Sequence, residues 1–268
     1  MAILRLSTNP FHLIFVMPVI LIVLICHWYL SLFTLTFLQH RYASHAVFSM
    51  TKPWERFFYL LAYVAQGSAY VSPRTFAILH RMHHAYTDTE KDPHSPLFDK
   101  NVFTLMWNTR AFSTSIFDGS FKPEERFLKN LPDWSALDKW AHSWMSRLMW
   151  VIIYFAFYFW MAPSPWWFLL IFFHALNVPV HAIVINWVAH KYGTVNYEMK
   201  NTSKNLWPFD FIMLGEAYHN NHHKYPSAAN MGRRWYEIDP VYPVLLFFNW
   251  LGIIKLNRKL ASSTSSEV

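Results

Sequence analysis

The chain is poor in charge, in glycine and in cysteine, and each shortage excludes a class of protein. Only 15% of its 268 residues are charged and 19% are aromatic, which excludes an intrinsically disordered chain. The single cysteine, Cys26, leaves no pair for a disulfide scaffold. The six glycines never lie close enough together to form a Gly-rich phosphate-binding turn. Histidine is abundant instead, with 15 residues in a chain that is 54% hydrophobic, so we expect a metal enzyme in a membrane.

Two long stretches contain no charged residue and predict membrane crossings. The first includes an apolar run at residues 11–39, roughly 44 Å long as a helix, which is too long for one crossing and too short for two full ones. We predict one long crossing, kinked at Pro18, with two short crossings as the alternative. In the second stretch, Pro163-Ser164-Pro165 separates residues 148–162 from residues 166–189. This pattern predicts a helical hairpin with tryptophans beside its turn, as at a membrane surface.

Two shorter apolar stretches, residues 57–72 and 241–254, predict helices that lie in the membrane interface or under a cap. Of the 23 lysines and arginines, only Arg5 precedes the first crossing, and the hairpin turn has none. The positive-inside rule therefore places the other segments in the cytoplasm. We expect an all-α integral membrane protein with three to four transmembrane helices and a cytoplasmic helical cap. Residues 1–255 form its single domain, and residues 256–268 form a flexible tail.

Most of the histidines fall into three clusters. Two share the pattern His-x-x-His-His, at His80 and at His219, which places three imidazoles on one face of a helix. The third pairs His40 with His45, about 140° apart on an α-helix, so these two converge only near a helix end or from a tilted helix. The predicted topology brings all three clusters to the same side of the membrane.

The returning helix of the hairpin adds Asn186 and His190, which are four residues apart and share a face. His174 and His181 lie on the opposite face and are not expected in the same site. Nine histidines remain, more than one metal ion takes, so we expect two ions. They are His40, His45, His80, His83, His84, His190, His219, His222 and His223.

Ligand type alone does not select the metal, because imidazole binds zinc, copper, iron and nickel. A soluble di-iron carboxylate bundle is excluded, since only Glu216 and His219 form the Glu-x-x-His motif that it requires twice. Glu216 is either an acceptor that orients an imidazole or a glutamate on a helix surface.

The three clusters, their order around a membrane hairpin and the Asn-x-x-x-His element resemble the membrane fatty acid desaturase family, most closely its stearoyl-CoA (delta-9 acyl-CoA) branch. The resemblance covers roughly residues 28–250 and includes Thr89-Glu90-Lys91-Asp92-Pro93-His94 and Gly215-Glu216. It implies a di-iron centre that uses O2 to insert a cis double bond into a saturated acyl chain. The centre is expected to accept zinc as a substitute during purification.

The resemblance also implies how the two irons share their ligands. One iron is expected on His40, His45, His84 and His223, with Asn186 acting through a water. The other is expected on His80, His83, His190, His219 and His222.

Partners follow partly from the same resemblance. The substrate is expected to be an acyl-CoA, but Ile78-Leu79 replace an Arg-Asp pair found before the second cluster in many relatives. Acyl-carrier-protein and lipid-linked substrates therefore stay open. The chain contains no flavin, nicotinamide, iron–sulfur or fused cytochrome b5 motif, so a separate ferredoxin or cytochrome b5 is expected as electron donor. The N-terminal membrane region is shorter than in animal relatives, which leaves three or four crossings open. A bacterial inner membrane is expected as the location.

Three other functions fit the sequence less well than a desaturase does. A lipid hydroxylase or ketolase shares the histidine clusters and is the alternative enzyme. A metal transporter is disfavoured because the charge-free spans contain no Asp or Glu along a pathway. Nucleic acid is disfavoured because the net charge of +7 is not concentrated in a dense basic run.

Overall fold

The computed structural model describes residues 10–257, and three of its helical segments are long and apolar enough to cross a membrane. The first is α1 (Pro10–Thr34), which continues without a break as a π-helix (Leu35–Ser44). The second is α6 (Trp144–Met161). Residues 10–44 therefore form one continuous helical segment, as expected for one long crossing, rather than two short helices.

The third crossing returns from α6 as a chain of short helical pieces. It begins with a 3-10 helix (Pro165–Leu170) and continues as α7 (Ile171–Ile183). A second π-helix (Val184–Val188) and α8 (Ala189–Lys191) complete it. The two segments are joined at the Pro-Ser-Pro turn, as expected for a hairpin. The helix α6 begins four residues before the predicted start, because the Ser143 hydroxyl caps it by accepting a hydrogen bond from Ser146 N at 3.2 Å.

The remaining helices form the cap, which carries the histidine clusters at His80 and His219. In chain order they are α2 (Lys52–Gln66), a 3-10 helix (Gly67–Ala69), α3 (Pro73–Tyr86), α4 (Val102–Asp118), a 3-10 helix (Glu125–Leu128), α5 (Ser135–His142), α9 (His219–Lys224) and α10 (Val241–Trp250). The apolar stretch at residues 57–72 falls on α2 and the turn after it and is not one of the candidate spans.

The predicted helix at residues 241–254 is too long at its C-terminal end. The helix ends at Trp250, Gly252 adopts a positive φ of 72°, and β2 (Ile254–Leu256) pairs antiparallel with β1 (Phe48–Met50). The Asn249 carboxamide oxygen accepts the Leu256 N–H at 2.9 Å and holds this return. Residues 258–268 of the predicted tail lie outside the described residues.

The main core lies where the first π-helix meets α2, α10 and the two short strands. Phe37 is fully buried there, with its ring centroid 4.5 Å from that of Phe58 and 4.7 Å from that of Phe48. At the same level the carboxamides of Gln39 and Gln66 exchange hydrogen bonds of 3.1 and 2.8 Å, which satisfies two buried polar groups. These contacts hold the end of the first crossing rigidly against the cap.

Candidate metal centre

The first histidine pair converges because the helix that carries it is not an α-helix. His40 lies in the first π-helix and His45 follows it, and the His45 N–H donates to the carbonyl of His40, five residues earlier, at 3.2 Å. A π-helix makes i→i+5 bonds, so residues five apart fall on nearly the same face. The rotation that separates the two rings on an α-helix is thereby removed.

The other two clusters lie on ordinary helices, as predicted. His80, His83 and His84 occupy the last two turns of α3. His219, His222 and His223 occupy α9, a helix of six residues. In both, the i, i+3 and i+4 spacing turns three rings toward the centre of the cap.

Five imidazoles form the first group. Their Nε2 atoms follow one another at 3.0 Å (His40–His222), 2.8 Å (His222–His84), 3.0 Å (His84–His80) and 2.8 Å (His80–His45). One donor atom from each of the five lies within 4.8 Å of all the others.

Four imidazoles form the second group, beside the first. Their Nε2 atoms are separated by 3.2 Å (His83–His223), 3.1 Å (His223–His219) and 2.9 Å (His219–His190). The two groups touch where the rings of His84 and His223 stack, with centroids 4.5 Å apart. All nine histidines named from the sequence are therefore brought together.

The division between the groups differs from the one implied by the resemblance. His80 and His222 lie in the first group rather than the second, and His223 lies in the second rather than the first. On α3 and on α9, the rings at positions i+3 and i+4 are neighbours in sequence but belong to different groups. The sequence spacing does not predict which of the two rings joins which group.

Carboxylates fix the orientation of two rings in the second group. His83 Nδ1 lies 2.9 Å from Asp92 Oδ1. Thr202 donates its hydroxyl to Asp88 at 2.8 Å, so its oxygen accepts the Nδ1–H of His190 at 3.0 Å. With the proton on Nδ1, each Nε2 presents a bare lone pair to the centre.

Glu216 performs the corresponding task in the first group. It is buried, lies in the turn before α9, accepts the Thr36 hydroxyl, and has a carboxylate oxygen 2.6 Å from His40 Nδ1. Burial raises its pKa, but His40 and Arg41 outweigh this and leave the pKa below its ordinary value. Of the two interpretations left open by the sequence, the orienting acceptor therefore agrees with the structure.

A buried ion pair supports the same turn from below. Arg41 Nη2 donates to Asp239 at 2.7 Å, and both side chains are fully buried. Gly215 has a φ of 94°, and a Cβ there would lie 2.6 Å from the Asp239 carboxylate. Only glycine fits this approach, which explains why Gly215 precedes Glu216.

The histidines are held in the form that binds metal. Burial is the largest cause that keeps the pKa of His80, His219 and His222 well below 6.5, and the neighbouring imidazoles lower it further. Neutral rings whose lone pairs converge at about 3 Å repel unless a cation lies among them. The donor set, entirely imidazole in both groups, therefore fits two divalent transition-metal ions.

Other polar residues near the centre divide into two kinds. Asn186 and His181 face a cavity of about 950 Å³ that reaches His40, His80 and His219. His174 lies apart, with its ring nitrogens 2.9 Å from the Tyr158 hydroxyl and 3.2 Å from His27 Nδ1. The structure leaves both His174 and His181 outside the two groups.

The orienting residues Asp88, Asp92 and Thr202 were missed by reasoning from the sequence. Asp92 belongs to the resembling stretch Thr89–His94, which was the available signal for it. His94, in the same stretch, is buried, and its ring centroid lies 4.3 Å from that of His83 with the two rings tilted by 30°. Thr202 lies far from any cluster, and only the fold brings it to His190.

Comparison with known proteins agrees with this centre. The profile of the family "Fatty acid desaturase" matches residues 14–247. A delta-9 acyl-lipid desaturase 2 of Arabidopsis thaliana is 30% identical over 224 residues, which cover 82% of this chain and 68% of the relative. An sn-1 stearoyl-lipid 9-desaturase of Synechocystis is 30% identical over 220 residues, 81% of this chain and 64% of the relative. The chain is a membrane protein that belongs to the fatty acid desaturase family, in its delta-9 branch.

Proposed function

We propose that the protein is a di-iron, O2-dependent delta-9 desaturase that inserts a cis double bond into a saturated acyl chain. The observation that supports this most is the convergence of nine imidazoles, in two touching groups, at the inner end of a mostly apolar cavity. Such a cavity suits an acyl chain, and the two groups suit two metal ions.

The five-histidine group would hold one iron and the four-histidine group the other. When bound, the irons and O2 supply the oxidant for an unactivated C–H bond, which no protein side chain supplies. Asn186 lines the cavity beside the first group and would contribute through a water. The chain's own part is to keep the rings neutral through burial and to hold each Nε2 inward through Asp88, Asp92 and Glu216.

The cavity would position the substrate. Its walls include Leu32, Leu79 and Met213 near the histidines, and a chain held between such walls presents one pair of methylenes to the metals. Positioning of this kind accounts for a fixed double-bond position.

The carrier of the acyl chain is better matched by a membrane lipid than by CoA. Ile78 and Leu79 are buried in an apolar cluster with Met82 and Phe127, so no charge for a soluble carrier is available there. Two relatives carry the words acyl-lipid and stearoyl-lipid in their names. The sequence-based expectation of an acyl-CoA stays a prediction that the test below compares directly.

Electrons would come from a separate small redox protein, such as a ferredoxin or cytochrome b5, on the cytoplasmic side. The basic residues of the cap would steer an acidic partner. A bacterial inner membrane as the location likewise stays a prediction.

The function is tested by product analysis. Purified iron-loaded protein, supplied with O2, a reductase–ferredoxin pair and deuterated stearoyl phospholipid or stearoyl-CoA, should give an oleoyl product without retained oxygen. A hydroxylated or oxo product would instead identify a hydroxylase or ketolase. Active protein should contain about two irons per chain, and one metal per active chain would exclude a dinuclear centre.

The proposed side of the membrane is tested by labelling. In a Cys26→Ser background, Ser164→Cys in the hairpin turn should react with an impermeant thiol reagent outside intact cells. Ser135→Cys at the start of α5 should not react. The reverse pattern would contradict a cytoplasmic metal centre.

A further inference from the structure

The cavity that reaches the histidines also reaches the surface, between α4 and the start of α6. Its lining there includes Phe103, Trp107 and Trp144, whose side chains are 81%, 71% and 80% exposed. Aromatic side chains this exposed, beside the first turn of a membrane-spanning helix, are typical of the headgroup level of a bilayer. The opening therefore faces lipid headgroups rather than bulk solvent alone.

Two arginines lie in the lining at this opening. Arg110 comes from α4 and is exposed, whereas Arg147 comes from the first turn of α6 and is half-buried. Arg147 Nη1 donates to the carbonyl of Ser68 at 2.5 Å, which anchors the guanidinium at the rim. Neither arginine forms an ion pair with a carboxylate in the described part of the chain, residues 10–257.

Both guanidinium groups line the same opening, where their like charges disfavour each other. His142 lies beside them in the lining and stacks on Phe117, with ring centroids 4.0 Å apart. Burial, and then the charge of Arg147, lower the pKa of His142 to about 4, so it is neutral at pH 7. Two like charges without a counter-ion at a cavity mouth favour an anionic ligand, and guanidinium groups match a phosphate in geometry.

We propose that Arg110 and Arg147 bind the phosphate of a membrane glycerophospholipid while one of its acyl chains occupies the cavity. The proposal rests on the proposed desaturase function and names the carrier of its substrate. Arg147 lies at the depth of lipid phosphates because it is in the first turn of a spanning helix. The substrate would then enter sideways from the bilayer, with its headgroup staying at the interface.

The test measures binding first, without turnover. Purified protein in neutral detergent is titrated with three probes: distearoyl phosphatidylglycerol, distearoylglycerol, which lacks the phosphate, and stearoyl-CoA. The variants are Arg110→Gln and Arg147→Gln, with Lys139→Gln as the control. Lys139 is an exposed cation on α5 outside the lining.

We expect the Kd for the phospholipid to rise about fivefold in Arg110→Gln and about tenfold in Arg147→Gln, which loses a half-buried charged donor. Affinity for distearoylglycerol should be unchanged in every variant, and Lys139→Gln should behave as the wild type. Phospholipid binding that is unaltered in both arginine variants would overturn the proposal. A loss confined to stearoyl-CoA would overturn it in favour of the soluble carrier.

Folding does not obscure the outcome. The Arg110 side chain makes no hydrogen bond within the described residues, so its substitution should not disturb folding. Arg110→Gln therefore still tests the phosphate site if loss of the Arg147–Ser68 contact destabilises the second variant. Because binding is read without catalysis, an inactive wild type would refute the desaturase proposal and leave the phosphate site measurable. A wild type that desaturates phospholipid, with variants of unchanged KM, would refute only the phosphate site.

Discussion

Histidines gather in two regions of this molecule, and the surroundings of the rings differ. In the metal centre, rings such as His83 and His190 are held on their Nδ1 side by a carboxylate or by a carboxylate-bound hydroxyl. Within the membrane helices, His174 contacts both His27 and Tyr158, and His181 packs edge-on against Trp28 at 4.6 Å. The rings of this second region contact the neutral phenol, amide and indole groups of neighbouring side chains.

This difference in hydrogen-bond partners distinguishes two kinds of histidine. One kind presents a nitrogen lone pair to a metal, and the other satisfies its hydrogen bonds with neighbouring neutral side chains. A carboxylate fixes the proton on one ring nitrogen and directs the other at a shared point. A neutral hydroxyl or a second imidazole does not fix the tautomer, because each accepts and donates. The number of histidines therefore does not identify the ligands. The hydrogen-bond partner of the ring nitrogen that faces away from the metal does identify them. Variants of the two regions should consequently behave differently.

The largest effect is expected for His190→Ala. It removes a proposed ligand and frees His219, whose Nε2 lies 2.9 Å from that of His190. Desaturation should fall to background and bound iron should decrease, as measured by product formation and metal analysis at matched folded levels. The matched controls are His174→Ala and His181→Ala, the same substitution on the same returning helix. Both should keep two metals, and His174→Ala, which lies outside the cavity lining, should also keep most of the activity. Full metal and activity in His190→Ala would remove His190 from the ligand set.

A smaller effect is expected for Asp92→Asn. The carboxamide is nearly isosteric, but it no longer fixes the proton on His83 Nδ1, so metal affinity or activity should fall about 10–100-fold. Asp99→Asn is the matched control in the same loop, since within residues 10–257 the Asp99 carboxylate accepts a single hydrogen bond, from the Asn108 carboxamide at 2.7 Å. Equal losses in both variants would mean that the loop, rather than the imidazole, had been disturbed.

Asn186→Ala is expected to be milder than loss of a ligand, with activity reduced about tenfold, because a water-mediated contact is lost rather than a metal–nitrogen bond. Iron content should stay near that of the wild type. Asn177→Ala, on the same returning helix but beside His27, should leave the rate unchanged. If Asn186→Ala loses iron completely, Asn186 binds metal directly.

The parts of this centre that follow helix geometry could be predicted from the sequence. His80, His83 and His84 share a face because an α-helix repeats every 3.6 residues, and the same holds for α9. The convergence of His40 and His45 could not be derived, because a π-helix is selected by packing of its whole length and has no local signature. The grouping of the rings differs from the ligand sets implied by the resemblance for a related reason, since it depends on side-chain torsions.

Contacts between distant segments were also beyond sequence reasoning. Thr202 reaches Asp88 across 114 positions of the chain, and Arg110 and Arg147 line one cavity only because the fold brings α4 and the start of α6 to it. The helix α10 was predicted to extend too far because residues 251–254 are apolar enough to continue a helix. Instead, residues 254–256 form a strand whose backbone hydrogen bonds are made to Phe48–Met50. Periodicity reports which face of an element is buried, not which element lies against it.

The smallest effect is expected for Tyr158→Phe, in the membrane-embedded region. The Tyr158 ring is fully buried, and its hydroxyl lies 2.9 Å from His174 Nε2, so the substitution removes one hydrogen bond and keeps the packing. Hydrogen bonds between membrane helices contribute about 0.6 kcal/mol on average, so the thermal midpoint in detergent should fall by only a few degrees or less. Iron content and turnover should equal those of the wild type, because the hydroxyl touches neither histidine group. Phe157→Leu, on the same helix and with no hydrogen bond to lose, controls for repacking. Loss of iron in Tyr158→Phe would show that the membrane histidines are coupled to the metal centre, and the separation of the two regions would then be wrong.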